Sequence, residues 1–145
     1  MRSNIKPIYP IHTVDLFDVT SALESVDDMT NAYYDTETGS IVVYNPDFDD
    51  IPDPAADLQR YIPLPDTHVI NDYQIMQEFV EEIGPKISES AQSKLSQSLI
   101  GKGAFQRFRD TVSRLGLSDA WNDYHNEAYE FIARRWAKDE GIEIV

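Results

Sequence analysis

The C-terminal half of the sequence is a series of amphipathic stretches separated by glycines, and no other feature constrains the fold as strongly. In each stretch apolar residues recur every three or four positions, which predicts an α-helix with one buried face. The apolar stripes run over residues 69–83, 87–99, 104–115 and 121–136. Gly84, Gly101 and Gly116 stand where helices commonly end. Connections this short favour four antiparallel neighbours in a compact helix bundle.

A β-hairpin is predicted in the N-terminal half. Residues 31–36 and 40–45 are rich in Tyr, Thr, Val and Ile, and Gly39 between them can take the positive φ of a tight turn. Tyr33 and Tyr34 fall on opposite faces, as expected of a half-buried strand. Because a lone hairpin is unstable in water, its apolar face must pack on helices.

A short helix over residues 14–26 precedes the hairpin, with Thr13 or Asp18 as its cap. Residues 46–66 form a linker with five prolines, in which residues 60–65 are extended and a third edge strand is left open. We expect a single domain over 1–145: helix and hairpin at about 13–45, acidic Pro-rich linker at about 46–66, helical bundle at about 67–141. The fold class is therefore α+β and mostly helical, a compact antiparallel helix bundle with a small antiparallel β-hairpin packed on it.

Composition matters here for what it excludes. The chain has no cysteine, which removes disulfides, thiolate zinc sites and cysteine nucleophiles. The longest apolar run, residues 41–44, is far too short to cross a membrane, and no signal peptide is recognisable. We therefore expect a soluble, cytoplasmic protein that does not bind membranes. Its formal net charge of -14 opposes nucleic-acid binding by the surface as a whole.

Residues 101–114, termed the basic segment, are a local exception to the negative charge. Between positions 102 and 114 the sequence has four basic residues and one acidic residue, a local charge of +3 (4 − 1). Contact with nucleic acid is possible only through this segment. Its candidate anion or partner contacts are Gly101, Lys102, Gly103, Arg107, Arg109 and Arg114.

Two interpretations of the basic segment stay open. In the structural one, the glycines form a turn between helices and Asp110 links Arg107 to Arg114 in an ion-pair ladder. In the functional one, the glycines bare backbone N–H groups at a helix start, where Lys102 and Arg107 hold an anion. The spacing of a P-loop is missing. Acidic residues at 119 and 123 oppose a helix-turn-helix interpretation of the following helix.

Residues 47–57, termed the acidic loop, carry the densest negative charge. Its possible contact residues are Asp47, Asp49, Asp50, Asp53 and Asp57. Their spacing fails the EF-hand rule and the loop has no glycine, so calcium binding is not expected. A solvated loop is the ordinary interpretation. The alternative is nucleic-acid mimicry, in which spaced carboxylates imitate phosphates and occupy a DNA-binding partner.

The three histidines, at positions 12, 68 and 125, are not at metal-ligand spacing. His125 shares one side of the last helix with Trp121 and Tyr124, which favours a partly buried, hydrogen-bonded histidine over a catalytic base. No serine lies in a recognisable nucleophile motif. We therefore assign no catalytic residue, metal or cofactor.

Five blocks occur in a characteristic order: Tyr-Tyr-Asp-Thr-Glu-Thr-Gly at 33–39, Tyr-Ile-Pro-Leu-Pro at 61–65, Tyr-Gln-Ile-Met-Gln-Glu-Phe-Val at 73–80, Gly-Lys-Gly-Ala-Phe-Gln-Arg-Phe-Arg-Asp at 101–110 and Ile-Ala-Arg-Arg-Trp at 132–136. Together with Trp121 and Tyr124 they resemble the bacterial uncharacterised protein family zero-one-five-eight, from residue 14 onward. The block at 101–110 is the most specific. The resemblance implies a bacterial or phage-borne cytosolic protein and brings no activity, catalytic residue or cofactor.

The leading functional expectation is a small non-enzymatic binding or adaptor protein, in which Lys102, Arg107 and Arg114 of the basic segment engage an anionic group of a protein or nucleic acid. One alternative is an acidic inhibitor or nucleic-acid mimic that acts through the acidic loop. Another is an enzyme that uses His125 with neighbouring carboxylates, for which a bell-shaped pH–rate profile would be required.

Overall fold

The computed structural model describes residues 11–145 of the chain. Its helices are α1 (Leu16–Ser25), α2 (Asp72–Ile83), α3 (Glu89–Ser98), α4 (Ala104–Arg114) and α5 (Ser118–Glu140). Its strands are β1 (Thr13–Val14), β2 (Asn31–Asp35), β3 (Ile41–Tyr44), β4 (Tyr61–Pro63) and β5 (Glu143–Ile144). The predicted α+β, mostly helical fold is confirmed. None of the described helices combines the length and apolar character that a membrane span requires.

The contacts of the chain gather into two compact units. The first unit comprises residues 11–70 together with Glu130–Val145, and the second comprises Asn71–Tyr129. Helix α5 gives residues 118–129 to the second unit and residues 130–140 to the first. The single-domain organisation expected above remains a prediction.

An antiparallel sheet with strand order β3-β2-β4 forms the centre of the first unit. The predicted hairpin is confirmed, and Gly39 turns it with a φ of 75°. The third strand that the sequence left open also forms, because Tyr61–Pro63 pairs with β2. The half-buried pattern is wrong: Tyr33 and Tyr34 are both buried, since β2 is the central strand and α1 packs against the hairpin.

The predicted start of the first helix is also wrong. Thr13 and Val14 form a parallel two-stranded sheet with β5, and neither Thr13 nor Asp18 caps α1. The cap is Asp15, whose Oδ1 accepts hydrogen bonds from the backbone N–H groups of Phe17 (2.8 Å) and Asp18 (3.3 Å). Strands of two residues carry no periodic signal, so the sequence shows neither β1 nor β5.

A partly buried ion pair connects β2 to the residue that precedes β4. Asp35 is 3% exposed, and Arg60 donates to both of its carboxylate oxygens, Nε to Oδ1 at 2.9 Å and Nη2 to Oδ2 at 2.8 Å. These hydrogen bonds hold the pKa of Asp35 well below its ordinary value, although burial alone would raise that pKa. The sheet therefore depends on a charge pair whose members are far apart in the sequence.

The second unit has an aromatic core to which α2, α3 and α4 all contribute. Its buried members are Met76, Phe79, Val80, Leu95, Leu99, Phe108 and Val112. Phe108 is fully buried, and its ring centroid lies 6.2 Å from that of Phe79 and 4.9 Å from that of Trp121 in α5. Two residues of the predicted apolar stripes are not buried in this core. Val69 precedes α2 and is 58% exposed, and Phe105 is 47% exposed.

Candidate functional site

The turn between α3 and α4 is built by its two glycines and by Arg107. Gly101 and Gly103 have φ values of 79° and 75°, in the left-handed region that favours glycine. The guanidinium of Arg107 turns back onto this turn and donates to the carbonyl oxygens of Lys102, Ile100 and, at 3.4 Å, Gly101. Arg107 therefore satisfies carbonyl groups beyond the end of α3, as basic side chains commonly do near helix C-termini.

The ion-pair ladder of the structural interpretation does not form among the described residues. Asp110 accepts a hydrogen bond from Gln106 Nε2 at 3.0 Å, and within residues 11–145 no ion pair joins it to Arg107 or Arg114. The reason is that the guanidinium of Arg107 is occupied by the backbone carbonyls of the turn. Among the described residues, Arg114 has no ion pair with Asp110 either.

A surface groove of about 520 Å³ lies between α3 and α4, and we call it the basic groove. Its lining residues are Lys94, Gln97, Ser98, Arg107, Asp110, Thr111, Arg114 and Leu115. Three cations and one carboxylate give the lining a formal charge of +2 (3 − 1). Ser98, only 4% exposed, donates its hydroxyl hydrogen to the Leu95 carbonyl at 2.6 Å. The groove thus combines a positive field with a serine oxygen that can accept a further hydrogen bond.

The structure brings together only part of the predicted contact set. Arg107 and Arg114 line the basic groove, whereas Gly101, Lys102, Gly103 and Arg109 are absent from its lining. Lys94 was missed by sequence reasoning. It lies on α3, outside the basic segment, and only the packing of α3 against α4 places it beside the two arginines.

Arg109 and His125 belong to a different cluster of the second unit. Asp72 Oδ1 accepts a hydrogen bond from the Tyr129 hydroxyl at 2.6 Å and lies 3.5 Å from His125 Nε2. The His125 ring stacks obliquely on that of Tyr129, with centroids 4.3 Å apart. The pKa of Asp72 is lowered mainly by its hydrogen bond with His125, and to a smaller extent by the Tyr129 hydroxyl and the charge of Arg109. Burial acts in the opposite direction and raises this pKa.

This arrangement gives His125 the partly buried, paired environment expected from the sequence. Its side chain is 22% exposed, and Trp121 flanks it with a centroid distance of 5.4 Å. In the part of the chain that the structure describes, no group of three or more His, Asp or Glu side chains could hold a metal ion.

Comparison with known proteins gives a family and nothing further. The model of a family described as Uncharacterised protein family (UPF0158) matches residues 9–145. The chain belongs to this family. No match was found among the curated proteins or among the solved structures. The block at 101–110, which carries the resemblance to UPF0158 most specifically, forms the α3–α4 turn and the start of α4, and it contributes Arg107 and Asp110 to the lining of the basic groove.

The acidic loop of this UPF0158 member uses much of its charge locally. Asp49 accepts from the Asn45 backbone N–H at 2.7 Å, and Asp53 from that of Ala55 at 2.9 Å. Asp57 accepts more weakly from the Arg60 backbone N–H at 3.4 Å. Aspartates of this kind stabilise turns, so three of the five candidate contacts have a structural reason to be present.

Proposed function

We propose that this protein is a small non-enzymatic binding protein of the bacterial cytoplasm, which holds an anionic group of a partner protein in the basic groove. The observation that carries the proposal is the convergence of Lys94, Arg107 and Arg114 on one groove of a chain with net charge -14. A cationic site on an acidic protein attracts an anion only at short range, so it selects a partner that also fits the groove.

The three cations have different roles in this proposal. Arg107 is engaged by the carbonyls of the turn, so it contributes its charge and shapes the groove. Among the described residues, neither Lys94 nor Arg114 donates a side-chain hydrogen bond or forms an ion pair. Both are exposed and keep their donors for a ligand. The fork of Arg114 suits a carboxylate or a phosphate, and Lys94 adds a second point charge.

The test compares two charge-matched double variants. Lys94→Gln with Arg114→Gln removes the free cations of the groove. Lys138→Gln with Arg134→Gln removes one lysine and one arginine from exposed positions of α5 outside the groove. Each protein is used to capture partners from bacterial lysate, and the captured protein and nucleic acid are quantified.

We expect a specific protein partner to be retained by wild type and by the Lys138 and Arg134 control, and lost from the groove variant. Circular dichroism confirms that both variants stay folded. Equal capture of the partner by the two variants would contradict the proposal. Removing the two groove cations would then have the same effect as removing the same charge from α5 outside the groove. Capture of nucleic acid alone would contradict it too.

A further inference from the structure

The first unit has a second groove whose chemistry is the opposite of that of the basic groove. It has a volume of about 550 Å³ and lies between the chain after β4 and the last turns of α5, and we call it the apolar groove. Its apolar surface includes Pro63, Pro65, Val69, Phe131, Ile132 and Trp136. Phe131 is 67% exposed and Val69 58%, whereas Trp136 is buried. Large side chains this exposed in the lining of one groove are typical of a contact surface.

The rim of the apolar groove is acidic. Three carboxylates and one cation are among the lining residues of the groove: Asp66, Asp139, Glu140 and Arg135. The formal charge of the lining is therefore -2 (1 − 3). Arg135 Nε lies 3.8 Å from Asp139 Oδ2, which compensates one carboxylate. Asp66 Oδ1 accepts from the backbone N–H of His68 at 2.9 Å and lies 3.2 Å from the Nδ1 atom of the His68 ring. An occupant with basic residues beside its apolar ones is therefore favoured, and an acidic one is repelled.

An added β-strand is excluded as the occupant. The neighbouring edge strand β4 contains Pro63, which has no N–H, and the Pro63 carbonyl already accepts from Trp136 Nε1 at 2.8 Å. The Tyr61 backbone N–H donates to the Asp57 carbonyl at 3.0 Å. With these backbone groups occupied, a ligand cannot pair along the edge. It must enter the apolar groove with its side chains.

We propose that the apolar groove binds a basic amphipathic helix of another protein. A helix satisfies its own backbone hydrogen bonds and presents apolar side chains at spacings of three and four residues, so it needs no free strand edge. Its apolar stripe covers Phe131 and Val69, and its flanking lysines or arginines face the rim carboxylates. This site is separate from the basic groove, and the proposal does not depend on the function proposed for that groove.

The experiment uses two synthetic helices of about 18 residues, long enough to form helix in water. Both carry leucines at the same i, i+3, i+4, i+7 positions; one has lysines on its flanks and the other has glutamates. Binding is measured by fluorescence anisotropy on wild type, on Phe131→Ala and on the control Phe17→Ala. Phe17 is also 67% exposed and belongs to the same unit, but it lies outside the groove.

We expect the lysine helix to bind wild type at least about tenfold more tightly than the glutamate helix, and Phe131→Ala to weaken it by about tenfold, as truncation of an aromatic anchor does. Phe17→Ala should bind like wild type. The proposal is overturned if neither helix binds, if both bind equally, or if Phe131→Ala binds the lysine helix as wild type does. In the last case the net negative charge of the chain, and not the apolar groove, would account for binding of the lysine helix. Circular dichroism of both variants verifies folding.

Discussion

Replacing Arg107 by alanine separates its structural role from its charge. In the folded protein its guanidinium connects the first turn of α4 to the carbonyls of Ile100, Gly101 and Lys102. Arg114, on the same helix and lining the same groove, makes no such bonds among the described residues. The variants Arg107→Ala and Arg114→Ala thus remove the same charge, and only the first removes the link across the turn.

The magnitude follows from the number and exposure of the bonds. The guanidinium donates to the carbonyls of Lys102 and Ile100, and its third hydrogen bond, to Gly101 at 3.4 Å, is weak. A net hydrogen bond contributes about 0.5–1.5 kcal/mol, and exposure to water places these near the lower end of that range. We therefore expect Arg107→Ala to lower the free energy of unfolding by about 1–2 kcal/mol. Arg114→Ala should change it by no more than about 0.5 kcal/mol, as surface substitutions usually do.

The assay is urea unfolding followed by tryptophan fluorescence, with both variants made in a Trp136→Phe background. Trp121 is then the sole tryptophan and reports the second unit, because its ring packs on Phe79 and Phe108. At a slope of about 2 kcal/mol per molar urea, the loss expected for Arg107→Ala lowers the midpoint by about 0.5–1 M.

Equal midpoints for the two variants would refute this account of the turn. Arg107 would then contribute no more than any exposed cation, and its donors would be as available to a ligand as those of Arg114. If Arg107→Ala alone is destabilised, loss of binding in an Arg107 variant is no evidence for a direct contact. Lys94 and Arg114 are then the residues by which binding is tested.

Three further predictions concern stability, all measured by urea unfolding. Gly103→Ala should cost about 1–2 kcal/mol, because φ is 75° and an L side chain is strained there; Gly103→Asn should cost less. Phe108→Ala should cost about 3–5 kcal/mol, since the side chain is fully buried, whereas half-exposed Phe105→Ala should cost clearly less. The pKa of Asp35 is lowered in the folded state, so its carboxylate stabilises the fold above the ordinary pKa of 3.8, and this stability is lost as the pH falls through the lower folded value. Unfolding free energy should therefore decline more steeply below about pH 5 in wild type than in Asp35→Asn.

Each of these has an outcome that contradicts it. An alanine at position 103 that leaves stability unchanged would mean that the turn does not need its left-handed backbone. Equal losses for Phe108→Ala and Phe105→Ala would place the core elsewhere. Parallel pH profiles for wild type and Asp35→Asn would show that the bond from Arg60 does not perturb Asp35.

The elements that the sequence predicts well are those encoded by contiguous residues. Helices α2 to α5 follow from apolar spacing, and the hairpin follows from Gly39 and its flanking β-branched and aromatic residues. Helix starts and very short strands are predicted less accurately from the sequence. A cap such as Asp15 is one polar residue among several, and a strand of two residues has no periodic pattern. The basic segment was likewise visible from local charge.

By itself, then, the sequence determined the fold class, the helix and hairpin positions and the location of the local positive charge. The tertiary structure alone decided which distant residues meet. In the folded protein Arg60 donates hydrogen bonds to Asp35, and Lys94 lines the same groove as Arg114. The Arg107 guanidinium donates to backbone carbonyls, and Phe131 lines a groove that also carries three carboxylates. The physical reason is that periodicity and turn chemistry act within a few residues of the chain. Ion pairs and grooves depend instead on how helices and strands pack, and many acidic and basic residues could have met in other combinations.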